Sequence, residues 1–325
     1  MIYASVKTHD GIFHADDVMA CGVLSTVHDN CISFTRKRAT IDDGLSVAGF
    51  DYVVDTGGRY DGQRFYDHHQ TDFDRTHANG VPMSAFGLIW EKFGMDVIRR
   101  VLHLNNPERF WKVSQLVEIR DAVLPFVQWQ DAHDNGKLHN TPAKFSDDRT
   151  VVFDQLTFQN IISLMNPVAG LEDHLTGETE MLRRFDEAVK FGQMVLERHI
   201  LRKAGRIYSW EYVEGCDEGR SVLELPKFVE WNSPVSELAH IIYVIHPGMS
   251  ENSWVVSAAK RGGGYSTAEN LRKPFPQEWA GLQGSALAAV TKVPESVFCH
   301  KGRHLVTTTS LESARQIAAL ALVAK

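Results

Sequence analysis

The segment "THDGIFHADD" (residues 8–17) separates a short apolar run, residues 2–7, from a helical pattern that begins at Ala15. The apolar run predicts a buried strand, and "ADDVMACGVLSTV" (15–27) predicts a helix because its apolar residues recur at helical spacing. A strand, a loop and a helix in this order are typical of an α/β fold. The loop itself crowds two histidines and three aspartates around one glycine, which an ordinary turn does not require.

The same alternation continues along the first two hundred residues. Short β-rich runs follow at "CISFTR" (31–36), "FDYVVD" (50–55) and "QRFYDH" (63–68), separated by Gly and Asp turns. From Ser84 to Gly205 the pattern is helical. Strands between helices predict the α/β class, with a mostly parallel sheet and flanking helices.

A chain of 325 residues exceeds one ordinary core, so we expect two domains. After Gly205 four β-rich runs appear, followed by two helical patterns: "RIYSWEYV" (206–213), "SVLELP" (221–226), "IIYVIHP" (241–247) and "SWVVSAA" (253–259), then 281–293 and 310–325. We therefore predict a first domain over 1–202 and a smaller C-terminal α+β domain over 203–325.

Composition excludes several classes of protein. No apolar stretch is long enough for a membrane helix, and the N-terminus lacks the features of a signal peptide, so we expect a soluble, cytoplasmic protein. The four cysteines show no CxxC spacing, which favours reduced core residues. A net charge of -7 argues against a dedicated duplex-binding protein, whereas fifteen histidines make metal binding worth testing.

Acids and histidines follow several of the predicted strands. In an open α/β sheet, ligands bind beyond the carboxyl ends of the strands. Four segments qualify: His9, His14 and Asp16; Asp55; Asp67, His68 and His69; and Asp131 or Asp134 in "DAHDNG". Each alone has an ordinary alternative as a turn former or helix cap, and Asp16 or Asp17 would complement a helix dipole. Four such segments together favour a site.

These residue types suit a pair of divalent cations. A two-metal site needs a bridging carboxylate, further ligands on each ion and a position for an activated water, and Asp55 is the bridge candidate. We assign the other ligands to two groups: His9 and His14 on one ion, and Asp16, His68 and either Asp131 or Asp134 on the other. His69 then contacts substrate or packs under the site. Mixed imidazole and carboxylate ligation favours Mn²⁺, with Co²⁺ and Zn²⁺ as alternatives and Mg²⁺ less favoured.

Three basic clusters are candidates for phosphate binding. Arg36 and Arg38 end the second strand, and Lys260 and Arg261 precede a triple glycine able to form an anion-binding nest. The third cluster lies in "HKGRHL" (300–305) and contains Lys301, Arg303 and His304. A hairpin turn or a solvated loop is the ordinary alternative for each.

The motifs resemble the Myg family, the group named for a melanocyte-proliferating gene and catalogued as metal-dependent protein hydrolases. The resemblance runs nearly the whole length, through 8–21, 53–70, 83–94, 131–136, "LMNP" (164–167), 271–287 and 297–318. That family in turn looks like a distant branch of the DHH phosphoesterases, although this chain has His14 where many DHH enzymes have an aspartate. The resemblance implies a DHH-like catalytic domain and a second domain that closes over the metals and binds phosphate.

The resulting hypothesis is a metal-dependent phosphoesterase in which Asp55 and His69 act with Arg303 or His304 of the second domain. The resemblance implies a 3′–5′ exonuclease on short single-stranded RNA or oligonucleotides. The alternatives are hydrolysis of pyrophosphate or a small nucleotide, and a non-catalytic metal-binding scaffold. Peptide hydrolysis has no support from an HExxH helix. The sequence leaves the oligomeric state open and allows a homodimer.

Overall fold

The computed structural model describes residues 3–39, 47–138, 156–262 and 266–324, with the backbone of 143–144 and 150–151. Backbone contacts divide the chain into two compact units, Met1–Lys203 and Ala204–Lys325. Among the described helices, none combines the length and the apolar character that crossing a bilayer would require.

The sheet of the first unit is entirely parallel. Its four strands lie in the order β2-β1-β3-β4, with bounds Ala4–Thr8 (β1), Ile32–Arg36 (β2), Tyr52–Val54 (β3) and Phe65–Tyr66 (β4). The central strand β1 pairs with both β2 and β3. The predicted α/β class is therefore confirmed, with a sheet that is wholly rather than mostly parallel. A further antiparallel pair joins Ala143–Lys144 (β5) to Thr150–Val151 (β6).

The helices of the first unit are Ala15–Val27 (α1), Ala85–Asn105 (α2), Val113–Asp134 (α3), Phe158–Ser163 (α4) and the first part of Glu178–Cys216 (α5), whose residues from Ala204 on belong to the second unit. Helix α1 contacts α2, α3 and α4, and twelve of its thirteen residues are buried. It begins sharply at its N-cap, His14, because Asp17 accepts the His14 backbone N–H at 2.9 Å.

The prediction of a strand over "RIYSWEYV" (206–213) is wrong, because α5 continues to Cys216. Aromatic residues favour strands, but Tyr208 and Tyr212 are four residues apart and therefore share a helix face. Their rings stack at 5.8 Å, and the Lys227 ammonium lies 4.6 Å from each ring centroid. Packing on this face outweighs the local strand propensity.

The second unit contains a five-stranded mixed sheet in the order β10-β11-β9-β8-β7. Its strands are Val222–Glu224 (β7), Tyr243–Pro247 (β8), Trp254–Ala258 (β9), Ser296–Cys299 (β10) and Leu305–Thr308 (β11). Only the β7 and β8 pair is parallel. The helices are Asn232–Glu237 (α6), Gly284–Thr291 (α7) and Leu311–Val323 (α8). The main core cluster of this unit includes the fully buried Tyr243, Phe275 and Ile317.

Candidate metal centre

Three neighbouring strands deliver the candidate ligands to one edge of the parallel sheet. Strands β1, β3 and β4 end at Thr8, Val54 and Tyr66, and the next residues are His9, Asp55 and the run 67–69. Because parallel strands end at the same edge, residues far apart in sequence meet there. This is the predicted arrangement for three of the four segments. The fourth, "DAHDNG", does not follow a strand as predicted, because Asp131 and Asp134 lie in the last turn of α3.

Asp55 lies at the middle of the cluster. Its Oδ2 is 3.5 Å from His9 Nε2, whereas its Oδ1 is 3.3 Å from His68 Nε2 and 3.5 Å from His69 Nδ1. The residue is buried and has a φ of 53°, a left-handed conformation that Asp accepts more readily than most side chains. The two oxygens of Asp55 thus face different histidines, as a bridging carboxylate requires.

His9 and His14 lie on one side of Asp55. One potential ligand atom from each of the three residues falls within 4.8 Å of the others. His9 Nδ1 donates to the Asp10 carbonyl at 2.7 Å, so its Nε2 is the nitrogen that faces the acids. Burial lowers the pKa of His9, but the close approach of Asp17 and the charge of Asp55 outweigh burial and raise that pKa to about 9.

Asp16, His68 and Asp134 form the group on the other side. His68 Nε2 is 3.8 Å from Asp16 Oδ2 and 3.3 Å from Asp134 Oδ2. Burial, together with the charges of Asp55 and Asp134, raises the pKa of Asp16 well above its usual range. Burial and the charge of Asp55 also raise the pKa of Asp134, against the opposing effect of His68. The acids repel one another and would be stabilised by positive charge.

The cluster also leaves buried polar atoms without a hydrogen bond. Six of them have no hydrogen-bond partner among the described residues: His9 Nε2, Asp16 Oδ1, Asp16 Oδ2, Asp17 Oδ2, Asp55 Oδ1 and His68 Nε2. Buried polar groups normally have partners, and imidazole nitrogens with carboxylate oxygens are the donor set of Mn²⁺, Co²⁺ and Zn²⁺ sites. The residues present therefore fit divalent cations.

His69 and Asp67 form a hydrogen-bonded pair at the rim. Asp67 Oδ1 accepts from His69 Nδ1 at 2.7 Å, and Asp67 Oδ2 accepts from the Gly58 N–H at 2.6 Å. Burial raises the pKa of Asp67, but the hydrogen bonds from His69 and Gly58 outweigh burial and lower it. The bond to Asp67 raises the pKa of His69, whose side chain is 62% exposed. His69 is therefore oriented by Asp67 with its Nε2 left for another partner.

Asp131 lies apart from the cluster. Its carboxylate accepts from Ser84 Oγ at 2.8 Å and from the Gly87 N–H at 3.0 Å, and lies 2.5 Å from His77 Nε2. The first N–H groups of a helix need acceptors, and Asp131 supplies one to α2. Of the two alternatives in "DAHDNG", the structure places Asp134 with the other candidate ligands and Asp131 in a separate polar cluster.

A cleft of about 300 Å³ opens beside the candidate ligands and is lined in part by Arg38. Arg38 is exposed, with its Nε 3.6 Å from Asp10 Oδ1. Arg36 instead donates from Nη1 to the Gly11 carbonyl at 2.9 Å, and its guanidinium lies 4.8 Å from the Phe185 ring centroid. Arg38 is therefore available to an anion in this cleft, whereas Arg36 is engaged in supporting the loop after β1.

The basic residues predicted in the second unit lie mainly around the turn between β10 and β11. Lys301 is exposed there, Arg303 donates from Nη1 to the Phe275 carbonyl at 3.3 Å, and burial lowers the pKa of His304. Lys260 forms an isolated β-bridge with Leu271. Arg261 donates to the carbonyls of Leu271 and Arg272, and part of the triple glycine after it lies outside the described residues.

Sequence reasoning missed one contact in the cluster and one beside it. The sequence left open which of Asp16 and Asp17 complements the helix dipole, and it did not predict that Asp17 Oδ2 lies 3.0 Å from His9 Nε2. Asn166, in the "LMNP" motif, makes two hydrogen bonds to the backbone of Phe13. Spacing within the motifs carries no signal for either contact.

Comparisons with known proteins match nearly the whole chain, the same length over which the sequence motifs occur. The profile of the family MYG1_exonuc, described as Uncharacterised protein family (UPF0160), matches residues 5–322. The MYG1 protein of Saccharomyces cerevisiae is 29% identical over 98% of this chain and 95% of its own length. The MYG1 protein of Chlamydia trachomatis is 29% identical over 99% of this chain and 96% of its own length. The human protein named MYG1 exonuclease is 26% identical over 95% of this chain and 84% of its own length. No solved structure matches the chain significantly.

Proposed function

The chain belongs to the MYG1_exonuc family, Uncharacterised protein family (UPF0160), and on that premise we propose that it is a hydrolytic exonuclease with two divalent cations around Asp55. The observation that carries the proposal is the set of buried imidazole and carboxylate atoms that converge there without a hydrogen bond among the described residues. Human and rat relatives named MYG1 exonuclease support the same class of reaction. Mn²⁺ is the cation that we favour, because the ligands mix nitrogen and oxygen.

In this proposal, Asp55 lies between two groups of potential ligands. His9 and His14 would hold one ion, and Asp16, His68 and Asp134 would hold the other. Bound divalent ions would supply activated water and neutralise charge on a phosphoryl oxygen. His69, oriented by Asp67, donates a hydrogen bond from protonated Nε2 to a phosphate oxygen, and Arg38 offsets the negative charge of the substrate at the cleft.

We further propose short single-stranded RNA as the substrate, degraded from its 3′ end. A cleft of about 300 Å³ suits a terminal nucleotide rather than a duplex. The exposed Lys301, with Arg303 and His304, would bind phosphate in the second unit. Kinship with the DHH phosphoesterases, a cytoplasmic location and a homodimer stay predictions.

Hydrolysis of pyrophosphate or of a small nucleotide is the second candidate. The observation that favours it is the size of the same cleft, which would hold two linked phosphates.

The test supplies the Mn²⁺-loaded protein with a short 5′-labelled RNA and, separately, with pyrophosphate. We expect products shortened from the 3′ end, and loss of this activity in Asp55→Asn. Asp96→Asn is the matched control, because it makes the same change at an exposed carboxylate that pairs with Arg99. Orthophosphate release without RNA shortening would favour the second candidate, and equal turnover by Asp55→Asn would contradict the proposed site.

A further inference from the structure

We propose that Asn166 is a positioning residue for the metal centre, acting through Phe13, in the loop over residues 9–14, on the adjacent ligand His14. The inference rests on the proposed function, since it assigns Asn166 a part in cation binding. Asn166 follows α4 in the chain and is separated from this loop by about half of the sequence.

The contact is a two-way amide pair. Asn166 Oδ1 accepts the Phe13 N–H at 3.0 Å, and Asn166 Nδ2 donates to the Phe13 carbonyl at 2.9 Å. Phe13 is fully buried and Asn166 is 8% exposed. Phe13 directly precedes His14, so the pair fixes the backbone from which the His14 side chain projects.

The loop needs such support because it belongs to neither β1 nor α1. Gly11 has a φ of 78°, and its carbonyl accepts from Arg36 Nη1 at 2.9 Å. The ring of Phe13 packs edge-on against Phe185 at 5.8 Å. Asn166 and Arg36 thus hold successive parts of the loop at its backbone.

Asn166 is itself held in place. Its N–H donates to the Ser163 carbonyl at 3.2 Å, and the preceding Met165 carbonyl accepts from Arg184 Nη1 at 3.4 Å. A short carboxamide donates and accepts at once, which neither a carboxylate nor a methyl group does. The role therefore depends on the amide and not only on the volume of the side chain.

The experiment measures Mn²⁺ binding by titration calorimetry in a double-mutant cycle. Asn166→Ala is combined with His14→Ala and, separately, with His68→Ala. We expect Asn166→Ala alone to weaken Mn²⁺ binding about tenfold or more, as loss of a group that orients a ligand does. In the His14→Ala background the further loss should fall below about twofold, because the ligand that Asn166 orients is already absent. In the His68→Ala background the tenfold effect should persist.

Three further measurements keep the outcome decisive. Val101→Ala, a cavity variant of α2, should lower thermal stability and leave Mn²⁺ binding unchanged, because the neighbouring Arg100 pairs with Asp29 beyond the end of α1 that is opposite His14. If Asn166→Ala does not fold, Asn166→Asp enters the same cycle, since it keeps the acceptor for the Phe13 N–H and loses the donor. At near-saturating Mn²⁺, the Asn166 variant should recover most of the wild-type kcat, because its loss is in Mn²⁺ affinity.

Equal losses in both backgrounds, or unchanged binding in Asn166→Ala, would overturn the positioning role. A wild-type chain that binds no Mn²⁺, Co²⁺ or Zn²⁺ would instead overturn the proposed function, so the two failures are distinguishable.

Discussion

Two clusters of aspartate and histidine lie in the first unit and differ in how their charges are satisfied. Asp131 accepts from Ser84 and the backbone of Gly87 and lies against His77, all of them buried or helical groups. The cluster around Asp55 leaves six buried polar atoms without a hydrogen-bond partner among the described residues. Protein atoms supply the hydrogen-bond partners of the Asp131 carboxylate in the first cluster. The second cluster lacks such partners and would need a further group, such as a cation, to satisfy its polar atoms.

The contrast separates two aspartates that are three residues apart in "DAHDNG". Asp131 stabilises the join between α2 and α3, and Asp134 faces His68 and Asp16. Identical side chains in one motif therefore serve folding in one case and the candidate site in the other.

The largest expected effect is on turnover. Asp55→Asn should lower kcat at least about 100-fold, because changing even the partners behind metal ligands costs 10- to 100-fold. The metal-free variant should unfold at the same temperature as the wild type or higher, since Asn accepts positive φ and removes one of several repelling charges. Turnover assays and thermal unfolding in EDTA check both parts. A clear loss of stability in EDTA would mean that Asp55 serves the fold.

The next effect separates the two aspartates of α3. Asp131→Ala should lower the free energy of unfolding by about 3 to 5 kcal/mol, because it leaves buried His77, the Ser84 hydroxyl and the Gly87 N–H without their acceptor. Asp134→Ala should leave the metal-free stability unchanged and weaken Mn²⁺ binding. Denaturant unfolding and calorimetry of both variants measure this. The reverse pattern would exchange their assignments.

Adding a divalent cation should stabilise the folded protein through the cluster around Asp55 and not through the cluster around Asp131. With Mn²⁺ at 100 times its dissociation constant, the wild type should gain about 2.7 kcal/mol in unfolding free energy for each ion bound, and EDTA should reverse the gain. Asp55→Asn should gain much less under the same conditions. Thermal unfolding across a Mn²⁺ titration measures both, and equal gains would show that Mn²⁺ binds elsewhere.

The smallest effect concerns a glycine beside the complete cluster. A Cβ on Gly87 would lie 2.0 Å from Asp131 Oδ2, so Gly87→Ala should cost about 1 to 3 kcal/mol through overpacking. Gly205→Ala is the matched control, because a Cβ at this helical glycine meets nothing within 4 Å and alanine favours helix by about 1 kcal/mol. Thermal unfolding should show opposite signs for the two variants.

The sequence was sufficient for features that depend on chain order. The parallel sheet and the gathering of His9, Asp55 and His68 follow from strands that end where acids and histidines begin. Each of those segments carries its own local pattern. The order of elements then determines the edge at which they meet.

Features that depend on partners distant in sequence were not predictable. The sequence left Asp131 and Asp134 as alternative metal ligands. Only the positions of Ser84 and His77 in the fold decide which of the two carboxylates already has protein hydrogen-bond partners. Likewise, the pairing of Asn166 with Phe13 spans 153 positions and leaves no trace in spacing. The helix over 206–213 was missed because its aromatic residues carry a strand preference that tertiary packing overrides.

The near-complete burial of α1 has a consequence for how this chain tolerates random change. A library of substitutions across Ala15–Val27, selected only for folded protein, would accept few variants, since almost every side chain there fills a packed space. Asp16 is the expected exception: its replacement would survive a screen for folding and be eliminated by a screen for turnover. Its neighbour Asp17, which caps the helix, would be eliminated by both.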